Sequence, residues 1–435
     1  MVQEMNNETN GENLFSLAQT LWPINRSITG EGFLSSLKIL MQSGFEGMEL
    51  VETATGSRVF DWTVPLVWNV RDAYIRCPDG QVICNFKDNN LHLVGYSIPV
   101  NCKVSLSELQ NHLFSLPEQP NAIPYVTSYY EERWGFCISQ DQREKLMPGD
   151  YEVVIDSTLE PGSLVYGQLL IPGDTQEEVL ISTYLCHPSM ANDQISGPVV
   201  ASALARWIKS LSNRRYSYRF VVVPETIGSI SFISKNLETL KDKTIAGFNI
   251  SCVGDERAYS FLPSRQGNTL SDRAAEYALD NFVESYQRYD WRDRGSDERQ
   301  YCSPGVDLPI ASIMRSKYGT YPEYHTSLDT LGNVVTAEGL HGGFKIIQSA
   351  LEIIEINCRP AATNLCEPQL AQRNLYPTLS LKGNYTKETK LLKDILAWSD
   401  GEHDLIDISR KLETSIFTIG SLIKVLANNN LISIG

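Results

Sequence analysis

The sequence has no C-x-x-C pair. Its nine cysteines are odd in number and scattered from Cys77 to Cys366, which suits neither a disulfide framework nor a thiolate zinc site. No apolar run reaches the roughly 18 residues that a membrane span needs. The first residues, MVQEMNNETNGEN, offer neither a basic n-region nor an apolar h-region. A reduced, cytoplasmic protein is the expectation. Positive charge is also in deficit: 37 Lys and Arg against 52 Asp and Glu leave a net charge of −15. Such a chain repels phosphate backbones and anionic membranes unless it carries a local basic patch. Neither G-x-S-x-G nor G-x-x-x-x-G-K-[ST] occurs, so serine-hydrolase and P-loop chemistry have no support. No internal repeat is detectable. Histidine is scarce, with only six in the chain.

What is present is a globular composition. The 435 residues are 42% hydrophobic and 20% charged, enough for two to four domains at about 150 residues each. Residues 1–12 are polar and expected to be disordered. Two short helices are expected between Leu14 and Met41, on either side of Trp22–Gly30. From Met48 to Gly167 short β-rich runs alternate with turn residues. The aromatic stretch Pro124–Phe136 reads as β-domain core, with a ligand platform as its alternative. From Glu178 the pattern becomes α/β. Expected strands are Val179–Thr183, Phe220–Val223, Ile245–Cys252 and Ile310–Met314. Helices are expected at Pro198–Leu211, Ile230–Leu240, Leu270–Ser285 and Thr336–Ile356. This alternation predicts a mostly parallel sheet covered by helices on both faces, with ligands beyond the carboxyl ends of its strands.

A linker over Arg359–Asn384 precedes three expected helices, Thr389–Trp398, Leu405–Leu412 and Ser415–Asn428, and a short strand at Leu431–Ile434. That order suggests a winged helix. Residues 391–435 hold four cations against six acids. A DNA reader normally presents a basic face, so the composition argues against nucleic acid. It points instead to a protein partner or a homo-oligomer.

The chemistry concentrates at strand ends. His187 follows the first strand in Cys186-His187-Pro188-Ser189, and Asp193 comes just before a helix opening at Ser196-Gly197. Glu225 closes the second strand, Asp255 and Glu256 follow the third, and His325 lies in Tyr324-His325-Thr326-Ser327-Leu328-Asp329-Thr330 after the fourth. Imidazole and carboxylate suit zinc. Each residue alone is better read as a cap or a solvated charge; all four strand ends together favour a metal site. Cys186 reads as a buried strand-end residue rather than a nucleophile, and the other four histidines as structural. Arg265, Tyr324 and the stretch Ser296–Tyr301 are candidate substrate contacts, with ordinary surface charge as the alternative for Arg265 and for that stretch.

The order His, Asp-x-x-Ser-Gly, Glu with Gly-Ser, Asp, then His-Thr-x-x-Asp-Thr resembles the zinc aminopeptidase family of bacterial leucyl aminopeptidases. Leu21-Trp22-Pro23-Ile24-Asn25-Arg26-Ser27, Cys186-His187-Pro188-Ser189 and Pro224-Glu225-Thr226-Ile227-Gly228-Ser229 more closely resemble an aminopeptidase-like family of unknown function. Its members end in a winged helix and are often associated with surface-polysaccharide biosynthesis genes. The resemblance implies an α/β, phosphorylase/hydrolase-like core (13–50 and 160–385), a β-rich insertion (51–159) and a winged helix (388–435). It implies one or two zinc ions on His187, Asp193, Asp255 and His325, with Glu225 as general base toward a peptide or small-molecule amide. In the working peptidases a second glutamate follows the base as a ligand; here Thr226 stands there. Either Glu225 coordinates and the base is lost, or Glu256 or Glu323 substitutes, or one zinc alone binds well. Asp329 is a candidate to orient His325. Rival readings are an inactive metal- or ligand-binding module on the same fold and, further off, a DNA-binding regulator.

Overall fold

The computed structural model describes residues 10–375 and 387–434. The chain divides into two compact units, one formed by residues 1–272 and 283–347 and the other by residues 273–282 and 348–435. The expected disorder of residues 1–12 falls largely outside the described residues. Where description begins, the Asn10 side chain caps helix α1 (Gly11–Leu21) by accepting from the Asn13 N–H. Helix α2 spans Glu31–Gln42.

The first unit is built on an eight-stranded mixed sheet flanked by helices. Its strands are β1 (Glu49–Ala54), β6 (Ser163–Ile171), β7 (Glu178–Tyr184), β8 (Ser217–Val223), β9 (Thr244–Asn249), β10 (Ser260–Leu262), β11 (Gln287–Arg288) and β12 (Ile310–Met314). The order is β1-β6-β8-β7-β9-β12-β10-β11. The central strands β8, β7, β9 and β12 are parallel, while β1, β6 and β10 pair antiparallel. Every residue of β7 is buried, which explains why its text shows no period-two alternation. Its one charge, Glu178, is held by two hydrogen bonds from Arg219 on β8, at 2.6 and 2.8 Å.

A second, antiparallel sheet of four strands has the order β3-β2-β5-β4, from β2 (Val67–Arg76), β3 (Val82–Ile83), β4 (Val100–Ser105) and β5 (Asp150–Glu160). Strand β5 alternates buried and less buried residues along its length, as a sheet with one packed face requires. The excursion leaves the main sheet after β1 and returns at β6, which are paired neighbours.

Helix α3 (Ser196–Ser210) follows β7, and α4 (Ile227–Lys243) follows β8. Gly197 opens α3 against the sheet: a Cβ there would meet Ile250 O at 2.5 Å and Thr183 Oγ1 at 2.6 Å. Helix α5 spans Leu270–Phe282, the short α6 Glu298–Tyr301 and α7 Ala337–Ile356. The third parallel strand ends at Asn249 rather than Cys252, and this moves Asp255 off the strand end.

In the second unit β13 (Pro360–Ala362) pairs antiparallel with β14 (Ile432–Ile434). Between them lie α8 (Lys387–Trp398), α9 (Leu405–Leu412) and α10 (Ile416–Asn428). The expected linker thus begins with a strand; its residues 376–384 lie outside the described residues. Among the described residues, no helix is long and apolar enough to cross a membrane.

Candidate active site

Strand β7 and the loop after it bring two of the expected residues together, and the loop after β12 brings a third. Nitrogen or oxygen atoms of His187, Asp193 and His325 all lie within 4.8 Å of one another. His325 Nε2 stands 2.9 Å from Asp193 Oδ2 yet makes no aligned hydrogen bond. Two donor atoms facing one point without bonding each other is the arrangement of ligands that share a cation. Two neutral imidazoles and a carboxylate are also the donor set of catalytic zinc sites that keep a fourth position open. The donor set therefore fits zinc.

Each of the three is held from behind. Tyr184, the last residue of β7, donates its hydroxyl to Asp193 Oδ1 at 2.5 Å. Asp329 accepts the backbone N–H groups of Asn192 and Asp193, both at 2.9 Å. Asp329 therefore shapes the Asp193 loop rather than orienting His325. Buried Arg26 donates from Nε to the His187 carbonyl at 3.1 Å and from Nη1 to Leu21 O and Ile24 O. The tract around Trp22 thereby fixes the first histidine. Tyr324 stacks on His325 at 3.9 Å between ring centroids. The role of Arg26 had no local signal beyond the family-like phrase that contains it, and the role of Tyr184 had none.

Asp255 is not brought into the group. Both of its oxygens are used: by Arg257 N and Ser316 Oγ on one side, and by Ser316 N and Asn192 Nδ2 on the other. It braces Asn192, next to Asp193. Glu323 is paired with Arg257 and Glu256 with Thr336, so neither replaces a ligand. Arg265 is in an ion pair with Asp307 and does not line the cavity described below.

Glu225 Oε2 lies 3.9 Å from His187 Nε2. The next residue, Thr226, has φ 66° at the start of α4, a costly conformation for a β-branched side chain. Asp297 holds it there by accepting the Thr226 N–H at 2.8 Å, and Arg299 donates to its hydroxyl at 2.8 Å. The Thr226 hydroxyl is thus turned to Arg299, not to the histidines. His325 is also left-handed, at φ 56°.

Burial dominates the electrostatics. It pushes Glu225 well above the usual carboxylate range, helped by the charges of Asp297 and Asp193. It lifts Asp297 to about 6 and Asp329 to about 7, and drops His187 to about 4. Burial would also raise Asp193, but His187, His325 and the Tyr184 hydroxyl outweigh it and hold it at about 2.

His187, His325 and Glu225 line a cavity of about 360 Å³. The inserted segment forms one wall, with Tyr125, Thr127, Tyr129 and Tyr130. The expected core tract Pro124–Phe136 is divided: Phe136 is core, while its first half faces the cavity. Tyr125 packs on both histidines, at 5.1 and 5.2 Å between centroids. The wall is stitched to the His325 loop by Tyr125 N to His325 O and Ser327 N to Ile123 O, both at 2.9 Å.

Residues 15–357 match the model of the domain of unknown function DUF4910, and residues 359–434 match a winged helix-turn-helix. The chain belongs to the DUF4910 family. A relative from Clostridium acetobutylicum is 41% identical over 405 residues, covering 93% of this chain and 92% of the relative. That protein is provisionally named a polysaccharide biosynthesis protein with an aminopeptidase-like domain. A crystal structure from the same species, provisionally named a peptidase, is 38% identical with a TM-score of 0.91 and covers 100% of this chain and 99% of that one. The zinc aminopeptidase BSAP of Bacillus subtilis is similar in fold at 12% identity and a TM-score of 0.58, covering 79% of this chain and 95% of that one. The DUF4910 chain thus has an aminopeptidase-like fold with a C-terminal winged helix.

Proposed function

We propose that this DUF4910 protein is a zinc-dependent hydrolase of a peptide or amide bond, with one metal ion on His187, Asp193 and His325 and with Glu225 as general base. The observation that carries the reading is the convergence of those three donors beside Glu225, with His187, His325 and Glu225 lining one cavity. Bound zinc would polarise the amide carbonyl and lower the pKa of water toward about 7. Glu225 takes the proton of the attacking water and passes it to the departing nitrogen. Tyr184 and Asp329 hold Asp193 in place, and Arg26 fixes His187. Among the described residues no second group of three gathers, and Thr226 is engaged by Arg299; both favour one ion over two. The name of the Clostridium relative supports a setting in polysaccharide biosynthesis.

Nine cysteines without a disulfide support a reducing, cytoplasmic compartment. On α10, Thr418, Ser421, Val425 and Asn428 are exposed beside a single cation, Lys424. That face supports protein contact or self-association over DNA.

The test combines metal analysis with hydrolysis of a panel of aminoacyl and acylamino substrates. Stoichiometric zinc, turnover, and loss of turnover without loss of zinc in Glu225→Gln are expected. Stoichiometric zinc with no turnover on any substrate would make the protein a binding module.

A further inference from the structure

Arg299 is the one cation among the residues lining the cavity, and Glu225 is the one carboxylate. Arg299 has no carboxylate partner within 4 Å among the described residues. Its Nη2 donates to Thr226 Oγ1, a neutral acceptor, and its Nε is buried and bonded to nothing. An unsatisfied buried guanidinium N–H is expensive, and native interiors rarely leave one without a role. Arg265, by contrast, is neutralised by Asp307.

From this geometry we infer that Arg299 is the anchor for a carboxylate on the substrate, so that the amide cleaved is an anionic one, of the N-acyl amino acid class. The inference rests on the hydrolase reading and names its substrate class. Guanidinium is a planar fork that matches a carboxylate with two parallel hydrogen bonds. A single cation suits a monoanion. A substrate with a free ammonium group would instead face Arg299 and the metal charge together, like against like. The chain carries −15 overall, yet Arg299 places a guanidinium on the wall of this cavity.

The other walls fit a compact, ring-bearing amide. Trp62 and Tyr130 form the rim, edge to face at 5.7 Å, and remain 39% and 52% exposed. Exposed aromatic faces at a cavity mouth are stacking surfaces. Among the lining residues, the Tyr125 and Tyr129 hydroxyls bond each other at 2.9 Å and so satisfy each other's polar groups.

The experiment is calorimetric titration of the zinc-loaded full chain with N-benzoyl-L-tyrosine and with N-benzoyl-L-tyrosinamide, which differ only in the charge of one group. At least tenfold tighter binding of the carboxylate is expected. That preference disappears in Arg299→Met and survives in reduced form in Arg299→Lys, which keeps the charge and loses the fork; zinc content is unchanged in both. Equal affinity of the two probes for the unmodified protein, binding of neither, or a preference that persists in Arg299→Met overturns the inference. If the carboxylate preference is found without hydrolysis of either probe, the anchor stands and the hydrolase reading falls. If both probes are hydrolysed with the same KM, the reverse holds.

Discussion

The two units each bury a set of carboxylates, and they treat them differently. In the winged-helix unit, Asp404 is paired through two hydrogen bonds with Arg273, which also reaches Asp407 at 2.8 Å. Asp404 further caps α9 and accepts from Asn357 at 3.0 Å. The positive charge there is supplied by the chain itself, so the network is complete. In the candidate site, Asp193, Asp297 and Asp329 are more deeply buried, yet among the described residues none has an Arg or Lys ion-pair partner. They are held by hydroxyls and backbone N–H groups, and two imidazoles face Asp193 across a gap. A carboxylate with its own cation is architecture. Of these, only Asp193 also faces two imidazole donors, which makes it the place for an ion to come.

The largest effect should come from the residue that uses the incomplete set. Glu225→Gln should reduce turnover about 10³-fold while metal analysis shows unchanged zinc; a variant that keeps its activity would remove Glu225 as the base. Next, Tyr184→Phe deletes only the hydroxyl behind Asp193 and should weaken zinc binding 10- to 100-fold, read by competition with a chelator. Equal affinity in that variant would mean that Tyr184 does not position the ligand.

On the complete side, Asp404→Ala strands Arg273 and should cost the winged-helix unit roughly 2–3 kcal/mol, the lower end for a buried pair because Arg273 is partly exposed. Hydrogen exchange of α9 amides in the full chain reports it. The same pair predicts a pH dependence. Burial alone would raise the Asp404 pKa, but hydrogen bonds from Arg273 and Asn357 lower it below 3.8. Its contribution is therefore fully present above about pH 4 and lost as pH falls through the folded value. In Asp404→Asn the α9 amides should lose that acid-dependent step, and persistence of the step would assign it elsewhere. The smallest effect is expected at Arg71–Asp156, bidentate but exposed on the inserted sheet. Asp156→Asn should leave the melting temperature unchanged within error.

Much of this contrast was legible in residue order, and the parts that were not share a cause. His187, Asp193, Glu225 and His325 stand out because strand text, turn text and residue type coincide at the ends of parallel strands. Asp255 looks the same by those criteria. Yet β9 stops at Asn249, and the chain after it turns the Asp255 carboxylate toward Asn192 and Ser316. Arg265 and Arg299 were both in view as candidate contacts. Only packing separates them, because Asp307 pairs with one, while the other has no ion pair within 4 Å among the described residues and leaves its Nε unbonded. The tract from Tyr125 to Tyr130 reads as core because apolar rings are usually core. Its pairing with the His325 loop is a contact between residues far apart in the chain, invisible to a local pattern.

The sequence by itself determined the strand–helix alternation, the winged-helix tail, the acidic balance and the donor types available to a metal. Those depend on periodicity and composition, which are local properties. Tertiary structure decided which donors converge, which carboxylates receive a cation from the chain, and which aromatic rings close the cavity. Those depend on distances between segments that only the folded sheet brings together, and burial then sets how costly each unpaired charge becomes.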